Sequence, residues 1–175
     1  QGLEFLPGAI EGLRRLHSAG YRLIIISNQS GVARGLLTLE RLEQINQHLR
    51  SMVREGGALL TGIYCCPHHP SEGCACRKPN VELVRQAAHE LKFNPAAAVV
   101  IGDRNSDIEL GRRLGATTIR IAPTPDAELR AATADLDTVT LDMADYRAKD
   151  LLEAAQIIEG LPPPDALARD SKPLG

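Results

Sequence analysis

Four stretches of this sequence hold side chains whose type and spacing suit metal or phosphate chemistry. All four cysteines, Cys65, Cys66, Cys74 and Cys76, lie in one window with His68 and His69. Cys66-Pro67-His68 and Cys74-Ala75-Cys76 each space two ligands by one residue, and a short turn containing Gly73 joins them. Three thiols and an imidazole so arranged can converge on one tetrahedral ion, and a set with no open position is structural, which points to Zn2+. Cys65 and His69 adjoin the set and can replace a ligand; free thiols or disulfides are the alternatives. Directly after Cys76 come Arg77, Lys78 and Pro79. Two adjacent cations can hold an anion or form a solvated pair, and Pro79 favours an extended Lys78. Ser27-Asn28-Gln29-Ser30 offers hydroxyls, amides and backbone N–H groups that suit a phosphoryl group, or else forms a polar turn. Gly102-Asp103-Arg104-Asn105-Ser106-Asp107 begins with a residue that lets the chain turn sharply. Asp103 can bind Mg2+ through oxygen, and Asp107, one helical turn on, can orient the groups around that ion. Ser106 or Asp107 can also cap the next helix.

These stretches need elements to place them. Apolar residues at helical spacing predict helices over 7–19, 38–54, 81–91, 107–114 and 144–159, with Thr38 as a helix cap and Gly115 as a stop. Short apolar runs predict strands over 22–26, 62–64, 97–101, 117–121 and 139–141, with 65–79 as an irregular loop. Strands of this kind, without polar alternation, are buried on both faces of a parallel sheet. Alternating strand and helix implies an α/β fold, a Rossmann-like parallel sheet with helices on both faces. Ligands in such folds bind beyond the carboxyl ends of the strands, where both 27–35 and 102–107 fall. Residues 1–159 read as a single domain, and 160–175 as a proline-containing tail without periodicity.

Bulk properties exclude several classes. The 175 residues carry a net charge of -2, and no basic run stands out; with aromatics at 3%, neither a phosphate-tracking face nor a base-stacking platform is available for nucleic acid. No apolar run approaches the roughly 20 residues a membrane helix needs, and the start does not read as a signal peptide. A cytoplasmic protein, monomeric or weakly oligomeric, is the expectation, and there a cysteine cluster favours metal over disulfides.

A hydroxyl, a lysine and an aspartate, each in a loop beyond a strand and in this order, resemble the second, third and fourth motifs of the haloacid-dehalogenase superfamily over about residues 23–121. The resemblance implies Mg2+-dependent phosphoryl transfer through an aspartyl-phosphate. Ser27 would hydrogen-bond the phosphoryl oxygens, Lys78 would neutralise them and Asp103 would bind Mg2+. The runs Ser27 to Gly35 (SNQSGVARG), Cys66 to Pro70 (CPHHP) and Cys74 to Pro79 (CACRKP) are more specific. They resemble the D-glycero-D-manno-heptose-1,7-bisphosphate phosphatase family, whose zinc ligands fall on Cys66, His68, Cys74 and Cys76. Its substrate contacts fall on Ser27, Asn28, Gln29, Ser30, Arg77, Lys78 and Arg104. The resemblance further implies no large cap domain, a zinc loop that shapes the mouth of the site, and a sugar-phosphate substrate on the way to surface polysaccharide such as lipopolysaccharide. The histidinol-phosphate phosphatase family shares the zinc loop and a similar fourth motif, and a non-catalytic binding or scaffold protein is a further alternative.

The superfamily begins with a strand ending in Asp-x-Asp, nucleophile first and general acid/base second. No aspartate precedes Asp103 here. The strands at 22–26 and 97–101 are expected to lack their shared neighbour, leaving a row of backbone groups unpaired at about 1–3 kcal/mol each when buried. The expectation is an N-terminal segment beyond this sequence that supplies the strand, and an inactive chain without it.

Overall fold

The computed structural model describes residues 3–122 and 143–162. In chain order the elements are α1 (Ala9–Ser18), β1 (Leu23–Asn28), α2 (Leu39–Glu55), β2 (Leu60–Cys66), α3 (Glu82–Leu91), β3 (Val99–Gly102), α4 (Asn105–Leu114), β4 (Thr117–Ile121), β5 (Tyr146–Ala148) and α5 (Leu151–Glu159). This is the expected α/β order, and no large cap domain occurs among the described residues. The Thr38 hydroxyl accepts from the Arg41 N–H at 3.0 Å and starts α2, as its side chain predicts. Gly115 ends α4 with φ 69, a left-handed conformation that glycine adopts without steric penalty.

Several boundaries shift by one or two residues, so that Ser27 and Asn28 end β1 and Cys65 and Cys66 end β2 instead of lying in loops, and one stretch differs in kind. The apolar spacing over 144–159 predicts a single helix, but the chain forms β5 and then α5. Tyr146 and Ala148 pair in parallel with Ile119 and Ile121. The Asp150 carboxylate then caps the new helix by accepting from the Glu153 N–H at 2.8 Å. Pairing with β4 overrides helical periodicity here, and the cap fixes the later start. The strand expected at 139–141 lies outside the described residues, as do 163–175 of the tail.

All strand pairs are parallel, in two sheets: β1 with β2, and β3-β4-β5 in that order. The pleat sorts the faces. Ile119 joins Leu16, Val53, Ala148, Ala155 and Ile158 in the core shared with α1, α2 and α5. Thr118 faces the other way, against α4, so close that a Cβ on Gly111 would meet its Cγ2 at 2.4 Å. Helices thus cover both faces. Burying each Leu, Ile or Val of this core contributes roughly 1.5–3 kcal/mol.

Between β1 and β3 lies a cavity of about 1310 Å3. Ile24, Ile25 and Ile26 line one side and Val99, Val100 and Ile101 the other. Among the described residues β1 pairs only with β2 and β3 only with β4. Both inner edges therefore present unpaired backbone groups to an aliphatic slot, as the lack of a shared neighbour predicts.

Candidate active site and metal centre

The carboxyl ends of β1 and β3 frame the mouth of this cavity. Lys78, Asp103 and Asp107 all line it. The Lys78 ammonium donates to the Ile26 carbonyl at 2.7 Å and pairs with Asp107 Oδ1 at 2.7 Å. The side chains of this pair are only 15% and 8% exposed, so removing one partner strands the other charge. Asp107 Oδ2 accepts from the Arg104 N–H at 3.1 Å, which caps α4. One carboxylate therefore both caps the helix and pairs with Lys78. A Cβ on Gly102 would lie 2.3 Å from the Asp107 Cβ, so only glycine lets Asp107 approach the strand end. Asp103 follows Gly102 directly and is exposed.

Ser27 and Asn28 close β1, in register with Cys65 and Cys66 of β2. Gln29 donates to the Ser27 hydroxyl at 2.9 Å. The Asn28 amide turns towards Lys78, donating to its carbonyl at 3.2 Å and accepting from its N–H at 3.0 Å. Ser30 accepts through its carbonyl from the Arg34 N–H at 3.1 Å. Arg77 keeps its Nη1 buried and without a hydrogen-bond partner among the described residues. Arg104 is exposed at the start of α4. The fold thus brings Lys78, Asp103 and Asp107 to one opening, with Ser27 beside the carbonyl that Lys78 meets and Arg77 next to it in the chain.

One residue escapes the sequence reading, and its partner Asn105 is given no role there. Arg120 of β4 is 2% exposed, and its Nη2 donates at 2.8 Å to the carboxamide of Asn105, itself 7% exposed. The Arg120 Nη1 has no partner among the described residues. A lone charged residue between two isoleucines in the β-branched run TTIRI is the signal that marks it.

The metal cluster resolves into one set. The ligand atoms of Cys66, His68, Cys74 and Cys76 all lie within 4.8 Å of one another. Cys66 Sγ is 3.5 Å from Cys74 Sγ and 3.1 Å from Cys76 Sγ, and His68 Nδ1 is 3.1 Å from Cys76 Sγ. Zinc–thiolate bonds of about 2.3 Å place sulfurs about 3.8 Å apart in a tetrahedron, so spreading of up to about 0.7 Å accommodates Zn2+. Burial works to raise the Cys74 thiol, but shared hydrogen bonds with Cys66 and Cys76, the Arg77 backbone and the charge of His68 outweigh it and lower it to about 7. Cys76 is pushed up to about 12, first by burial and then by the same shared contacts. Crowded sulfur donors competing for protons are what a closed, soft-ligand cation site provides. Cys65 stands aside: its Sγ meets Asn46 Nδ2 at 3.8 Å, and burial raises its thiol. His69 is also excluded, since its ring meets Ser71 Oγ at 2.7 Å in a short turn over Pro70–Glu72.

The loop that carries the cysteine–histidine cluster is stitched to the loop after β1. The Gln29 N–H donates to the Cys66 carbonyl at 2.7 Å and the Ala33 N–H to the Pro67 carbonyl at 3.2 Å. Asn80 Nδ2 donates to the Cys74 carbonyl at 2.9 Å, bracing the turn that carries Arg77 and Lys78.

A family model described as HAD-hydrolase-like matches residues 75–154. Over 112 residues the chain is 45% identical to the D-glycero-beta-D-manno-heptose-1,7-bisphosphate 7-phosphatase of Helicobacter pylori, which covers 63% of this chain and 65% of the relative. Over 109 residues it is 36% identical to the probable D-glycero-D-manno-heptose-1,7-bisphosphate 7-phosphatase of Thermoplasma volcanium, covering 62% of this chain and 75% of that one. Among solved structures it is similar to a D,D-heptose 1,7-bisphosphate phosphatase from B. bronchiseptica crystallised with magnesium and phosphate. The TM-score is 0.76 at 27% identity, covering 89% of this chain and 84% of that one. Parallel strands with a lysine and an aspartate at their carboxyl ends, joined to this match, define a haloacid-dehalogenase-like protein. Within that class the chain belongs to the D-glycero-D-manno-heptose-1,7-bisphosphate 7-phosphatase family. It spans 65% of the length of the Helicobacter pylori relative.

Proposed function

We propose that the full-length protein is a Mg2+-dependent phosphoric monoester hydrolase that removes the 7-phosphate of D-glycero-D-manno-heptose 1,7-bisphosphate. The observation that carries this reading is the Lys78 ammonium, held between the Ile26 carbonyl and Asp107 at a mouth it shares with Asp103. A fixed cation beside an exposed carboxylate is suited to phosphoryl transfer, where catalysis is mostly positioning and charge stabilisation. The hard oxygen donor of Asp103 fits Mg2+; when bound, that ion neutralises charge on the transferring phosphoryl group. Lys78 neutralises the same oxygens from the opposite strand end. The Ser27 hydroxyl hydrogen-bonds them, and the free Nη1 of Arg77 holds the substrate. Gln29, Ser30 and Arg104 line the sugar side.

The nucleophile belongs to a strand that fills the cavity between β1 and β3. Such a strand satisfies both unpaired edges and delivers its carboxyl-terminal carboxylates beside Lys78 and Asp103. Its first carboxylate attacks phosphorus, the phosphorus–oxygen bond to the sugar breaks, and the second carboxyl group protonates the departing alkoxide. Water then cleaves the acyl phosphate. The site is part of one domain over 1–159. Among the described residues no helix is long and apolar enough to cross a membrane. A cytoplasmic setting, where thiols stay available to metal, agrees with four free cysteines. A small sugar phosphate needs no macromolecular partner, and the protein is read as a monomer or weak oligomer.

The test is phosphate release by the full-length protein, with Mg2+, from heptose 1,7-bisphosphate and from histidinol phosphate. Preferred release from the heptose substrate is expected. Equal or faster release from histidinol phosphate overturns the substrate reading, and none from either leaves a non-catalytic binding protein.

A further inference from the structure

We infer that Asn28 is a positioning residue for Lys78 rather than a substrate ligand. Its Nδ2 donates to the Lys78 carbonyl at 3.2 Å, and its Oδ1 accepts from the Lys78 N–H at 3.0 Å. Both bonds go to main-chain atoms, so the side-chain amide holds the Lys78 backbone as a neighbouring strand would. The same β1 strand end holds the other extremity of that lysine, because the Ile26 carbonyl accepts from its ammonium at 2.7 Å. Lysine carries its charge on a flexible four-carbon stem, and fixing only the tip leaves the stem free to swing. With the backbone clamped by Asn28, the ammonium has one anchored origin and two tip partners, Ile26 and Asp107.

The inventory of hydrogen-bonding groups supports this assignment. A carboxamide has two N–H groups and two lone pairs, and one of each is committed to Lys78. Neighbouring groups remain better placed for a ligand. Arg77 keeps a buried Nη1 without a partner among the described residues, and the Ser27 hydroxyl accepts one bond, from Gln29, and retains its own proton to donate. Asn28 therefore acts on the phosphoryl group through Lys78. The inference rests on the reading above that Lys78 neutralises that group.

The test is a double-mutant cycle in the full-length protein with inorganic phosphate as the probe, Mg2+ present, and affinity read by phosphorus NMR titration into the millimolar range. The variants are Asn28→Ala, Lys78→Met and the pair together, the methionine keeping the apolar stem. Asn28→Ala is expected to weaken phosphate about tenfold when Lys78 is present, as the loss of two modest hydrogen bonds allows, and to have no further effect once Lys78 is methionine. An equal loss in both backgrounds overturns the inference, because it marks direct contact; so does no loss in either. Unchanged phosphate affinity in Lys78→Met alone overturns the role of Lys78 itself, a distinct result from failure of the clamp. If the alanine variant does not fold, Asn28→Leu fills a similar volume without either hydrogen-bonding atom and repeats the cycle.

Discussion

Lys78 and Asp107 form the tightest charged contact of the site, at 2.7 Å with little exposure on either side. Their attraction operates in a lowered dielectric, and so does the penalty for leaving either alone. Lys78→Ala in the full-length protein is therefore expected to do two things. Turnover should fall below detection, and stability should drop by about 3 kcal/mol as Asp107 is left buried and unpaired; steady-state kinetics and urea denaturation check each. Unchanged turnover would remove the site assignment. This lysine is legible in the sequence as a candidate, because a cation after a cysteine cluster and an aspartate after a buried strand are side-chain facts. Its partner is not. Its sequence position suggests that Asp107 orients a metal's surroundings or caps the next helix; the cap forms, but nothing in the spacing shows that its other oxygen meets Lys78. Asn28 shows the same limit, since its type allowed a substrate contact and only the folded chain turns its amide to Lys78.

At the scale of elements, the loop between β2 and α3 gathers His68, Cys74 and Cys76 around Cys66, their ligand atoms within 4.8 Å of one another. It is also tied to the segment after β1 through the Gln29-to-Cys66 and Ala33-to-Pro67 backbone bonds. Zinc should copurify near one ion per chain, read by elemental analysis. Stripping it with a strong chelator should speed amide exchange in both 29–34 and 66–80 while the α1–α5 core stays protected. A metal-free preparation with an unchanged exchange pattern would sink the structural clip. Ligand type and short spacing make this element readable, and in the folded chain Cys66 and His68 gather with Cys74 and Cys76 while Cys65 and His69 turn to Asn46 and Ser71. The stretch 144–159 was misread for the opposite reason. Its helical apolar spacing is local, whereas the pairing of Tyr146 and Ala148 with β4 is set by a strand more than twenty residues upstream.

At the scale of the whole molecule, the cavity between β1 and β3 is the dominant feature. Two parallel edges with aliphatic flanks face each other across it, and every unpaired buried backbone group there costs about 1–3 kcal/mol. Filling the slot with a strand should slow amide exchange at 24–26 and 99–101 by orders of magnitude in the full-length protein relative to the 175-residue chain. Equally fast exchange in both would refute the inserted strand. The sequence alone determined the α/β class, the zinc ligand types and the cationic and acidic loops, because periodicity and ligand chemistry are local properties of residues. Only the tertiary structure decided which groups share one opening, that Asp107 neutralises Lys78, that Asn28 grips its backbone, and that Arg120 lies buried against Asn105. Those outcomes depend on strand register and helix packing, which bring together residues far apart in the chain.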